Sequence, residues 1–153
     1  KYSGTIACDP AGKIAFQEPA LCPDGRGGFV CYMRTAGAGG HLATSHSSDG
    51  INWSEVKFHE LIGHPFNPLV LNDGRILLSY GYRIKPFGIR MRLLSDPLQN
   101  PDDAEELIIR DDGLCTDVGY PWGVQLDNGQ VLLVYYMTDE QGMRYIAGTW
   151  LEI

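Results

Sequence analysis

The chain has 153 residues, 44 % apolar and 20 % charged, enough for one domain with a core of its own. A net charge of −7 argues against a nucleic-acid partner, which needs a basic face. No apolar run approaches the roughly 20 residues that span a bilayer, and no secretory signal is read ahead of Tyr2, so a soluble protein of unassigned compartment is expected.

The sequence opens at Lys1 rather than Met, as a processed product or a piece of a longer chain would. Strand signals then follow in chain order at 28–34, 41–45, 76–82, 88–95, 131–137 and 143–151, punctuated every few residues by Gly, Pro, Asn and Asp. Helical periodicity is confined to 101–109, where one short helix is expected. The fold class is all-β. Cys8, Cys22, Cys31 and Cys115 include no C-x-x-C pair, so no zinc ribbon is read, and no metal or cofactor is expected. Cys22 and Cys31 flank one predicted hairpin, and they either face each other or pack as small reduced thiols.

A repeat organises these strands. "EPALCPDGRGGFVCYMR" begins at Glu18, "NPLVLNDGRILLSYGYR" at Asn67 and "YPWGVQLDNGQVLLVYY" at Tyr120. Each unit is a proline, an apolar strand, a D/N-G turn and a second apolar strand. Pro19, Pro68 and Pro121 stand 49 and 53 residues apart. A period near 50 made of about four strands suits the blade of a β-propeller. One domain over 1–153 is predicted, with four-stranded blades at roughly 16–62, 63–115 and 116–153 and with 1–15 completing a neighbouring blade. Three blades do not close a ring, and an open stack leaves strand edges and an apolar face in water. A missing N-terminal half, or a homodimer of two such halves, is therefore expected.

Between the first two units, Ser47-Ser48-Asp49-Gly50-Ile51-Asn52-Trp53 resembles the Asp-box of the sialidase and BNR-repeat superfamily, one residue shorter than the commonest form. In that family the aspartate caps a turn through backbone N–H groups and the tryptophan packs between blades; Ser47, Asp49, Gly50 and Trp53 take those structural places. The second copy keeps only Ser95 and Asp96. The whole chain is similar to the second half of a six-bladed sialidase-like propeller.

That resemblance implies a site. Tyr120 falls where the family keeps a nucleophilic tyrosine and Glu18 where it keeps the glutamate that activates it. A phenol spares the repulsion that a carboxylate nucleophile would meet beside a sugar acid, and sialidases are known exceptions to the two-carboxylate glycosidase scheme. Arg34 and Arg83 match arginines that clamp a carboxylate, with Arg90 as runner-up to Arg83. The ligand so implied is a terminal acidic carbohydrate. No counterpart of the family's acid-base aspartate precedes Glu18, since Asp9 sits in a plain turn, and roughly 10²- to 10⁴-fold in rate goes with it.

Each residue also has a plainer reading. Tyr120 serves as a packing tyrosine between blades, and Arg34, Arg83 and Arg90 as strand-end charges. His64, in "GHP", either touches the ligand or caps a turn. Asp117 orients Tyr120, accepts a sugar hydroxyl or shapes the turn. Trp122 and Trp150 are assigned to the core. The competing functions are a glycoside hydrolase half and a non-catalytic carbohydrate-binding or scaffold propeller.

Overall fold

A computed structural model of the chain describes residues 4–153, so residues 1–3 of the leading segment lie outside the described residues. Eleven strands follow in chain order: β1 (Ala15–Pro23), β2 (Phe29–Ala36), β3 (His41–Ser47), β4 (Lys57–Ile62), β5 (Phe66–Val70), β6 (Ile76–Tyr82), β7 (Phe87–Leu94), β8 (Glu106–Gly113), β9 (Gly119–Gln125), β10 (Val131–Thr138) and β11 (Arg144–Leu151). They pair only with sequence neighbours, as antiparallel sheets β1–β4, β5–β8 and β9–β11. The third unit carries three strands among the described residues where four were expected. No helix among the described residues is long and apolar enough to cross a membrane.

The repeated D/N-G pairs close the first hairpin of each sheet. Gly25, Gly74 and Gly129 all take positive φ (72°, 89° and 87°), the conformation that such turns require and a side chain resists. The helix expected at 101–109 is reduced to one 3₁₀ turn, Pro101–Asp103. Beyond it, Leu107 and Ile108 pair with Met91 and Arg90. The β-branched run gains a ladder there, and the helix start signal of Pro101 and the two aspartates is overridden.

β6 is buried along nearly its whole length, as an apolar run between two neighbouring sheets must be. On one side Ile76, Leu78 and Tyr80 pack against Cys22, Tyr32 and Leu42 of the first sheet. On the other, Leu71, Leu77 and Met91 meet Val131, while Ile89 meets Val118 and Leu133 of the third. The outer face of the first sheet is covered too: Ile6 and Ala7, with Trp53 and Val56, lie over Cys31, Met33 and Ala43. The outer face of the third sheet is open. Trp122 and Trp150, assigned to the core from sequence, are 68 % and 56 % exposed there, beside Ile146 at 76 %. Their large apolar side chains signalled burial, but the described residues leave them largely exposed.

Cys22 pairs in register with Val30, and Leu21 with Cys31, so adjacent positions send the two thiols to opposite faces. All four cysteines are free. Burial pushes the Cys22 and Cys31 thiols up to about 11, which keeps them protonated.

The turn at Ser47–Trp53 has the geometry of a capped turn. Asp49 Oδ1 accepts from the N–H groups of Ile51 and Asn52 at 2.8 and 2.7 Å, and from the Ser47 hydroxyl at 3.0 Å. These donors hold the carboxyl far below its ordinary range, led by the Asn52 and Ile51 N–H groups. Gly50 takes φ 70°. Asp9 forms a similar cap, accepting from the backbone of Ala11, Lys13 and Ile14.

Candidate functional site

β1, β5 and β9 are the edge strands of their sheets and lie side by side, β5 between the other two. The repeat places Glu18-Pro19, Asn67-Pro68 and Tyr120-Pro121 at matching points of these strands. Proline has no N–H for the ladder, and two of the three strands answer with a bulge. In β1 the register runs from Gln17↔Arg34 to Ala20↔Tyr32, leaving Glu18 and Pro19 opposite one residue. In β9 it runs from Trp122↔Val134 to Gly119↔Tyr136, leaving Tyr120 and Pro121 likewise. β5 stays regular through Asn67↔Ser79 and Pro68↔Leu78.

At these two bulges stand the only non-glycine residues among those described with positive φ, Glu18 at 49° and Tyr120 at 50°. Such a conformation costs on the order of 1–3 kcal/mol for a residue with a Cβ, and it recurs where a side chain must be aimed. Here both are aimed at one point. The Tyr120 hydroxyl donates to Glu18 Oε1, and Arg34 Nη1 donates to Glu18 Oε2 at 3.0 Å. Glu18 therefore stands within β1, three residues past its first residue rather than at its start.

The electrostatics follow from this contact. Burial pulls the Glu18 carboxyl upward, but the Tyr120 hydroxyl and the Arg34 guanidinium together outweigh it and leave the carboxyl below its ordinary value. The same hydrogen bond pushes the Tyr120 phenol up, aided by burial. At neutral pH the pair is a carboxylate holding a protonated phenol.

Arg83, just past β6, lines the wall beside them. Its Nε donates to the Val118 carbonyl and its Nη2 to the Tyr136 hydroxyl, both at 3.1 Å. Tyr136 in turn donates to Asp117 Oδ1 at 2.7 Å, and Arg144 Nε donates to Asp117 Oδ2 at 2.6 Å. Asp117 is thus taken up by Tyr136 and Arg144 rather than by Tyr120. It is held below the usual carboxylate range, by the Tyr136 hydroxyl first and by Arg144 as well. Burial, then Asp117, pushes the Tyr136 phenol up to about 12. The Tyr136 ring lies 6.0 Å from that of Tyr120, tilted by 37°.

His64 follows β4 and joins the same space, with Arg34, Arg83 and Glu18 acting on its ring. Arg90 does not join it. Its side chain is 3 % exposed, with Nη2 on the Pro86 carbonyl at 3.0 Å, Nη1 on the Arg110 carbonyl and the guanidinium 4.7 Å over the Tyr82 ring. It sits mid-strand in β7, so it braces β7 against β8, whereas Arg83 stands past its strand and reaches the site. The capped-turn residues run from Ser47, which ends β3, through Asp49, Gly50 and Trp53 in the link to β4, away from Glu18, whose side-chain partners are Arg34 and Tyr120.

A cleft of about 240 Å³ opens beside the Glu18–Tyr120 contact, lined by Pro19, Phe66, Asn67, Pro121 and Trp122 as well. Sequence reasoning missed Asn67, Tyr136 and Arg144. The repeat itself marks Asn67, since it matches Glu18 and Tyr120 in the middle unit, and the Tyr135-Tyr136 end of the third unit marks Tyr136. Nothing local in the sequence marks Arg144, which reaches Asp117 from a separate strand.

At the centre of the residues so gathered stand one carboxylate (Glu18), one phenol (Tyr120) and two guanidinium groups (Arg34 and Arg83) on an all-β scaffold, with His64, Tyr136 and Asp117 around them. The chain is 42 % identical over its whole length to a protein of unknown function from Dyadobacter fermentans, whose crystal structure superposes with a TM-score of 0.93. It spans 42 % of that protein's length. No family model matches the chain, and no curated protein matches it.

Proposed function

We propose that the three sheets are blades of a six-bladed, sialidase-like propeller and that the site binds and cleaves a terminal acidic sugar. The observation that carries this reading is the Tyr120 hydroxyl on the Glu18 carboxylate, with both residues held in left-handed backbone at matching bulges. In the reaction so read, Arg34 and Arg83 clamp the sugar carboxylate. The Tyr120 oxygen attacks the anomeric carbon as its proton passes to Glu18 Oε1, and the bond to the leaving oxygen breaks. The leaving oxygen takes its proton from solvent; water then cleaves the tyrosyl–sugar bond and releases one proton to solvent, while Glu18 returns the phenolic proton to Tyr120.

The propeller itself would be closed by further sheets, either the remainder of a longer chain or a second copy. The open face bearing Trp122, Ile146 and Trp150 supports this. Ultracentrifugation of the chain alone should show a dimer, the pairing that an interface above about 1,000 Å² would sustain. A clean monomer at micromolar concentration counts against pairing and leaves completion to a longer chain.

A second reading, a carbohydrate-binding propeller without turnover, is favoured by one observation: Asp9, ahead of Glu18, spends its carboxylate on the backbone of its own turn. A 4-methylumbelliferyl glycoside of N-acetylneuraminate separates the two, because its leaving group departs without a general acid. Turnover that falls at least a hundredfold in Tyr120→Phe supports the hydrolase. Binding without turnover supports the alternative, and neither binding nor turnover ends both.

A further inference from the structure

His64 stands where the three sheets meet, and glycines make room for it. Its N–H donates to the Gly81 carbonyl at 2.8 Å, and a Cβ on Gly119 would come within 2.7 Å of its carbonyl oxygen. Its ring lies over Gly40, where a Cβ would stand 2.5 Å from Nε2. Nδ1 is buried and has no hydrogen-bond partner among the described residues, and Arg34 Nε is in the same condition. Two orphaned nitrogens in one site are unusual, because a buried polar atom without a partner loses its hydration for nothing in return.

The charged groups that act on the ring are Glu18 from β1, Arg34 from β2 and Arg83 from beyond β6. Burial first, then Arg34 and Arg83, push the imidazole down to about 4, with Glu18 opposing them. At neutral pH the ring is therefore neutral beside two cations. A carboxylate docked against those cations cancels their repulsion and gives a protonated imidazole a partner.

We infer that His64 takes up one proton from solvent when a carboxylate docks against Arg34 and Arg83, so that ligand binding here is proton-linked and tightens in mild acid. The inference rests on the acidic-sugar reading above. The sign follows from linkage: the bound ligand raises the ring above its free value, so the gain in affinity is complete below about 4 and vanishes as pH rises through the bound value.

The test is an NMR titration of the ring signals of the four histidines, with His64 assigned through His64→Asn, using N-acetylneuraminate and its methyl ester. The acid should move the His64 midpoint up by at least about one pH unit, and affinity well below both midpoints should exceed that well above them by at least about tenfold. The uncharged ester should move it little. Binding of the acid with a fixed midpoint overturns the inference while the acidic-sugar reading stands, as does an equal shift with the ester. No binding of the acid overturns both. The wild-type titration decides even if His64→Asn does not fold, because the assignment then passes to Gly40→Ala, which perturbs the same ring.

Discussion

Gly40→Ala gives a direct measure of how tightly the His64 ring is seated. Gly40 takes φ 79°, and its added Cβ would stand 2.5 Å from His64 Nε2 and 2.6 Å from Cε1. Gly25→Ala is the matched control, with φ 72° and no atom within 4 Å of the added carbon. Left-handed backbone costs a side chain about 1–2 kcal/mol, which both variants share. Only Gly40→Ala adds the clash, worth about 1–3 kcal/mol in a packed site. Urea unfolding should therefore show Gly25→Ala down by about 1–2 kcal/mol and Gly40→Ala by about 2–5 kcal/mol. The clash alone corresponds to a Tm lower by about 2–12 °C in a chain of this size. Equal losses in the two variants refute the seating, because the ring would then be yielding at no cost.

Arg90→Met should lower stability by roughly 1–3 kcal/mol, since the part-buried Arg110 and Pro86 carbonyls lose their donors, yet leave acid-sugar affinity within about twofold by calorimetry. Tyr136→Phe should do the opposite in emphasis: it frees Arg83 from its anchor and weakens N-acetylneuraminate about tenfold, the worth of one charge-assisted hydrogen bond, while the Glu18–Tyr120 pair stays intact. Stability should also fall in acid. The His46 ring first, then the Arg26 N–H, hold Asp24 down to about 2 against an ordinary value of 3.8, so its contribution is present above 3.8 and is lost as pH falls through about 2. Unfolding curves between pH 5 and pH 2 that do not shift, or that shift equally in Asp24→Asn, contradict this.

The repeat made the sheets legible before any coordinates. Three D/N-G turns with apolar flanks predict three hairpins, and the matching prolines mark the strands that lie side by side. The expected pairing of Glu18 with Tyr120 rests on the family resemblance; the repeat adds that both stand at matching positions of strands that flank β5. Register was beyond it. Nothing in "QEPA" or "GYPW" states that the proline forces a two-for-one bulge and turns the preceding residue to positive φ, while "NPLV" runs straight. Choosing between Arg83 and Arg90 likewise depended on where β6 ends, a matter of one residue. The segment at 101–109 misled because its cap signals are local and the ladder that overrides them is not.

In the proposed reaction Tyr120 attacks a sugar anomeric carbon with Glu18 as its base. The most direct measurement uses a glycosyl fluoride of N-acetylneuraminate with a second fluorine beside the anomeric carbon, which departs as fluoride without a general acid and slows release of the covalent product. Mass spectrometry of digested protein should find one sugar on the peptide containing Tyr120, absent in Tyr120→Phe and strongly reduced in Glu18→Gln. Label on any other residue, or binding of the compound with Tyr120 unmodified, contradicts the account.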